Sequence, residues 1–179
     1  VRSRRQRQMC IRDRYRLSLL IACGSFFGLR ISDLLTLTWS MLLDNEKFVV
    51  TEQKTGKRRE IKVNCNFQKH IADCYKALGI VDINEKCFLS RKKTVYSTQR
   101  INVLFKSIKS KYNLKIEHFS THSMRKTFGR QVVEAAGENS EFALIKLSEL
   151  FNHADIQTTR RYLGLRSQEL LETYDMLSF

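Results

Sequence analysis

The sequence predicts a mainly α-helical fold with one small antiparallel β-hairpin, and three observations carry that prediction. No proline occurs in 179 residues, which favours long helices joined by few rigid turns. Apolar residues recur at helical spacing through most of the chain. Two short β-rich runs flank a single glycine-bearing turn.

Taken in order, Tyr15 to Phe27 reads as a buried helix that breaks at Gly28. A short helix follows from Ser32 to Leu37, with Ser32 as its N-cap and Leu34, Leu35 and Leu37 turned to a core. Phe48 to Gln53 and Arg58 to Val63 read as strands, joined through Lys54-Thr55-Gly56-Lys57. Phe67 to Leu78 returns to helical spacing and stops at Gly79. Cys87 to Ser90 reads as a short strand or an extended link. Ser97 to Tyr112 places apolar residues at 101, 104, 105 and 108, one stripe of a helix. Beyond Ser120, helices are expected at 121–136, 141–151 and 156–163, with a last one from Ser167 to Leu177. No internal repeat, and no linker within 15–179, marks a second domain.

The formal net charge is +14, a balance that points to a polyanionic partner, because Lys and Arg on phosphates release condensed counterions. Residues 4–14, RRQRQMCIRDR, are similar to the translated adapter of a transposase-type sequencing library. The segment 1–14 is therefore read as an artefact joined to a truncated gene, disordered or a frayed helix, and set apart from the domain at 15–179. A natural basic arm that binds DNA is the competing reading. Six arginines and one aspartate in residues 1–14 contribute +5, which leaves +9 on the rest. The nucleic-acid inference survives either way.

No run of 18 apolar residues exists, so a membrane span is not expected. Cys23, Cys65, Cys74 and Cys87 show no CxxC spacing and read as small packing residues in a reduced, cytoplasmic setting. No cleavable leader is expected. His118 and His122 stand four apart, a spacing open to zinc, but the intervening residues lack a metalloprotease glutamate and His118 should precede the helix.

Three short segments could carry chemistry. In His122-Ser123-Met124-Arg125, positions three apart share one helix face, so His122 and Arg125 can converge on a ligand. Ser120 or Thr121 can cap that helix, whose N-terminus favours a phosphate; Met124, Phe128 and Val132 form its buried stripe. In the run from His153 to Tyr162, HADIQTTRRY, Asp155 can cap a helix that ends near Gly164. Alone, Tyr162 reads as a packing residue, and Arg160 and Arg161 as surface charges. In Gly28-Leu29-Arg30, an arginine sits in a glycine break between apolar helices and needs a partner, either Asp33 or a DNA phosphate.

Together these segments resemble the tyrosine recombinase, or phage integrase, family. The order Arg30, Lys54, His122, Arg125, His153, Tyr162 matches its arginine after Gly-Leu, its hairpin lysine, its His-x-x-Arg box, and its histidine nine residues before the tyrosine. SMRKTFG and FNHADIQTTRRYLG look like integrases of bacterial mobile elements. The resemblance runs from Tyr15 to the C-terminus. Two departures stand out: Asn152 replaces a usual glycine, and the stretch around Gly137 to Glu141 is longer than usual, which should lengthen a loop. Lys54 fits the KTG pattern, although Lys57 shares the same turn.

The resemblance implies a catalytic-domain fold without its N-terminal core-binding domain, and a site-specific recombinase that cuts and rejoins double-stranded DNA through a 3′-phosphotyrosyl intermediate. Arg30 and Arg125 would clamp the non-bridging oxygens, since planar guanidinium forks donate two parallel hydrogen bonds and stay charged. Tyr162 would attack and His122 accept its proton. Lys54 would protonate the leaving 5′ oxygen, and His153 would hold a phosphate oxygen. No cofactor or metal is implied, nor ATP, because the covalent link stores the phosphodiester energy. A homotetramer on DNA is expected through the amphipathic segment after Tyr162, which otherwise would pack on its own domain. The alternatives are a type IB topoisomerase-like strand relaxer and a non-catalytic DNA-binding module. Activity is expected to need the missing half.

Overall fold

The computed structural model describes residues 4–43, 45–90, 92–165 and 174. The chain divides into two compact units, Val1–Arg125 and Lys126–Phe179. Helix α1 (Arg4–Phe27) opens the first unit; it starts earlier than Tyr15, within the segment the sequence reading set aside. Its break falls at Gly28, whose φ of 59° lies in the left-handed region that a side chain resists.

Helix α2 (Ile31–Leu34) corrects the expected N-cap. Arg30 is the N-cap, with no side-chain capping bond, and its carbonyl accepts from Asp33 N and Leu34 N at 3.0 and 2.9 Å. The extended backbone at Arg30 starts the helix, so Ser32 falls inside it and donates instead to Asp33 Oδ1 at 3.3 Å. Leu34, Leu35 and Leu37 are buried as expected. Helix α3 (Trp39–Leu42) follows, its Trp39 fully buried with an edge-on ring contact to Tyr75.

Strands β1 (Lys47–Thr51) and β2 (Arg58–Lys62) pair antiparallel, Thr51 opposite Arg58 at the turn. The two-residue period of the strand sends Phe48 and Val50 inward and Val49 outward. Phe27 packs edge-on against both Phe48 and Phe67. Helix α4 (Cys65–Leu78) is capped by Asn64, which accepts from Phe67 N at 2.8 Å, and ends on left-handed Gly79. The Cys87 to Ser90 link forms one isolated bridge, Leu89 to Val95, and Lys86 just before it bridges Thr38. Helix α5 (Thr98–Lys111) starts at the expected Ser97 and buries Ile101 and Phe105. One core joins Leu19, Leu20, Leu34, Trp39, Ile71 and Phe105.

Helix α6 (Thr121–Ala136) carries the unit boundary after Arg125. Met124 belongs to the first core, whereas Phe128 and Val132 pack in the second. The connection expected to be lengthened holds a 3₁₀ turn, Gly137–Asn139, before α7 (Ser140–Phe151). Helix α8 (Ile156–Leu163) has Asp155 as its N-cap, accepting from Thr158 N at 2.6 Å, and ends at Gly164. The second core holds Leu144, Leu147, Phe151 and Leu163. The helix expected from Ser167 to Leu177 lies outside the described residues, Tyr174 apart.

Two expected outcomes follow from the packing. A Cβ at Gly24 would lie 2.8 Å from Met124 Cβ and 2.5 Å from its Sδ. Gly24→Ala should therefore cost roughly 1–3 kcal/mol of stability as overpacking, measured by urea unfolding. The cysteines divide in a way the sequence reading did not foresee. Cys23, Cys74 and Cys87 are buried, but Cys65 is exposed at the first helical position of α4, off the stripe formed by Phe67, Ile71, Cys74 and Leu78. Burial pushes the Cys23 and Cys87 thiols well up and, with Asp73 nearby, raises Cys74 to about 11. A maleimide should label Cys65 in the native protein and these three only after denaturation, as read by peptide mass mapping.

Candidate active site

The first unit gathers arginines around two buried carboxylates. Arg30 Nη1 donates to Glu52 Oε2 at 2.7 Å, and Glu52 is only 4% exposed. The sequence left Asp33 or a DNA phosphate open as the partner of Arg30, and Glu52 was not foreseen. The Asp33 carboxylate instead accepts from Gln53 N at 2.9 Å, tying α2 to the hairpin turn. Arg125, 6% exposed, donates from Nη1 to the Gly28 carbonyl at 2.9 Å. Arg59 Nη2 donates to Phe27 O at 2.6 Å, so two guanidiniums serve the open carbonyl end of α1. That placement suits the negative end of a helix dipole.

Electrostatics tie the group together. Burial pushes the Glu52 carboxyl up, but hydrogen bonds from Thr55 and Arg30, and the charges of Arg30 and Arg125, outweigh it and leave the group below the usual carboxylate range. Burial lowers Arg59 to about 10, with Arg30 adding to the fall and Glu52 and Asp33 opposing it. It stays charged at neutral pH. Three guanidiniums against two carboxylates leave a net positive cluster, the arrangement that a phosphate needs.

Lys54 and His122 are exposed, Lys54 in the hairpin turn and His122 in the first turn of α6. The start of α6 is held by side chains on two elements. Asn102 Oδ1 on α5 accepts from Thr121 N at 3.1 Å, and Ser123 Oγ accepts from Ser120 N at 3.0 Å. Side chains from within the helix and from α5 thus satisfy the Ser120 and Thr121 N–H groups at the start of α6. His118 precedes the helix and is exposed.

In the second unit, α8 and the turn before it bring His153 and Tyr162 together. Their rings meet edge-on with centroids 5.3 Å apart, and Phe151 lies 5.7 Å from Tyr162. His153 Nδ1 shares a 2.9 Å hydrogen bond with buried Thr159 Oγ1, which fixes the imidazole plane. Asn152 has φ 54° at the C-cap of α7. Asparagine is the side chain that best tolerates this left-handed position, which accounts for the family's usual glycine and for its replacement here. The Tyr162 hydroxyl oxygen is shielded from solvent. Arg160 pairs with Glu141, and Arg161 is exposed.

Sequence reading missed several participants. Glu52 and Arg59 gave no signal because their partners lie far away in the chain. Lys126 holds its ammonium 5.5 Å from the Tyr162 ring centroid, a cation–π placement that adjacency to Arg125 could have suggested. A groove of about 890 Å³ lined by Leu17, Ile21, Phe26, Phe67, His70 and Tyr112, among others, is apolar and includes none of the six site residues. Among the described residues no cluster of three His, Cys, Asp or Glu side chains could hold a metal, and no helix is long and apolar enough to cross a membrane.

The first unit thus carries one hairpin and an arginine cluster, and the second a histidine packed on a tyrosine. The family model described as the phage integrase family matches residues 4–169, and the chain belongs to that family. It is similar to the tyrosine recombinase XerC of Xanthomonas campestris pv. campestris, at 27% identity over 165 residues, covering 92% of this chain and 48% of that protein. It is also similar to the probable integrase/recombinase YoeC of Bacillus subtilis, at 28% identity, covering 82% of this chain and 76% of that one. The chain spans about half the length of the XerC relatives it matches. Its fold is shared with the crystal structure of XerA recombinase, with a TM-score of 0.67 at 20% identity over 92% of this chain and 57% of that one. The XerH recombinase bound to its palindromic difH substrate gives 0.64 at 22% identity, over 91% and 46%.

Proposed function

We propose that this chain is the catalytic part of a site-specific recombinase that breaks and reseals double-stranded DNA through a covalent bond to Tyr162. The observation that carries the reading is the placing of Arg30 and Arg125, from distant parts of the chain, beside one buried carboxylate. Arg30 bonds Glu52, and Arg125, held on the Gly28 carbonyl, acts on the same carboxylate through its charge. Oriented guanidiniums in a poorly solvated place stabilise the charge that builds on phosphate oxygens in a five-coordinate transition state. Support also comes from the shared fold of proteins solved on DNA, XerH on its difH substrate and a lambda integrase on a core site.

In this reading Arg30 and Arg125 hold the non-bridging oxygens. Tyr162 attacks phosphorus, its proton passing to His122 as the P–O5′ bond breaks, and Lys54 supplies the proton to the departing 5′ oxygen. His153, oriented by Thr159, donates to a phosphate oxygen. The shielded phenol must come out of its packed position before it can attack. Resealing reverses the step with the hydroxyl of another strand, on a homotetramer held through the segment after Tyr162. The test is a nicked suicide substrate drawn from a pooled random-sequence library, whose cleaved end diffuses away. A covalent protein–DNA band that vanishes in Tyr162→Phe supports the reading; a band that persists refutes it. Site-independent relaxation of supercoiled plasmid would point to the topoisomerase-like alternative.

A further inference from the structure

Glu52 carries a charge where a charge is costly. It stands just past β1, 4% exposed, and nothing in the roles above uses it. Its Oε2 accepts from Arg30 Nη1 at 2.7 Å and from Thr55 Oγ1 at 2.8 Å. Thr55 Oγ1 in turn accepts from Lys57 N at 3.3 Å. The Glu52 backbone closes the same turn, its N–H donating to Lys57 O at 2.9 Å and its carbonyl accepting from Gly56 N at 2.8 Å. A continuous path of hydrogen bonds thus runs from the clamp arginine to the turn that carries Lys54 and Lys57. The same carboxylate feels Arg30 and Arg125 and opposes the fall in the Arg59 pKa, so it offsets the mutual repulsion of three guanidiniums.

We propose that Glu52 is a positioning residue for strand cleavage, locking the Arg30 fork and the lysine-bearing turn into one fixed geometry; this rests on the function proposed above. Glu52 does not touch DNA. It sets where the clamp and the proton donor stand relative to each other, and small misplacements of such groups cost on the order of 10²-fold in rate.

The test compares the full chain with Glu52→Gln and Glu52→Ala on the nicked substrate pool, alongside fluorescence anisotropy with a pooled duplex at fixed salt. Glutamine keeps an acceptor for Thr55 and Arg30 without the charge, and alanine keeps neither. Adduct formation should fall about 10²-fold in Glu52→Ala and less in Glu52→Gln. DNA affinity should hold or tighten, because one negative charge is gone. A Tyr162-dependent adduct at the wild-type rate in Glu52→Ala overturns the assignment. So does a parallel loss of binding and cleavage in both variants, which would mark a merely structural carboxylate. Absence of any Tyr162-dependent adduct in the wild-type protein overturns the proposed function itself, and this assignment with it.

Discussion

Tyr162→Phe should leave the protein folded and able to bind DNA while removing its covalent DNA product, a loss on the order of 10⁴-fold or more. The substitution deletes one oxygen and leaves the ring, whose packing against Phe151 and His153 holds α8 in place. Stability should change by no more than about 1.5 kcal/mol, the worth of a single hydroxyl hydrogen bond. The measurement is a denaturing gel of protein crosslinked to labelled strand, read beside a thermal melt. Retained melting with a lost band assigns the oxygen to the chemistry.

Arg30→Ala should lower adduct formation by on the order of 10²–10³-fold, the usual cost of one oriented donor to a developing anion. It should also cost roughly 1.5–3 kcal/mol of stability, because Glu52 keeps its buried charge and loses its cation. Adding Glu52→Ala should return much of the stability and none of the activity. This double substitution separates the two roles of Arg30, since the lost charge pair is structural and the lost fork is chemical. Recovery of cleavage in the double variant would place Arg30 outside the clamp. Urea unfolding and single-turnover cleavage on the same samples check both halves.

Much of the fold was legible because its signals are local. Gly79 ends a helix as expected, the helix expected from Ser97 begins just past it, and Asp155 opens α8 within hydrogen-bond reach of its own first turn. The Asn64 cap, by contrast, was not foreseen, and α4 starts two residues before Phe67. The hairpin announced itself by alternating residues and one glycine. The six site residues could be picked out only as an ordered set, since each alone has an ordinary explanation. What stayed hidden depends on chain partners that sequence does not bring together. Arg30 bonds Glu52 from 22 positions away, and Asn102 on another helix accepts from the Thr121 N–H at the start of α6. Ser32 failed as a cap because the backbone at Arg30 had already started the helix. Cys65 failed as a packing residue because one position along a helix decides which side faces water.

The carbonyl of Gly28 receives Arg125 from 97 positions away, while Arg59 reaches the neighbouring Phe27 carbonyl from β2. Closing so long a loop costs entropy before any bond repays it, so this joint is expected among the later contacts to form. A chain emerging from the ribosome can build the hairpin and its apolar neighbours well before α6 arrives. Arg30 and Arg125 therefore come together only once α6 exists, and on the function proposed above a chain stopped short of α6 lacks half of its clamp.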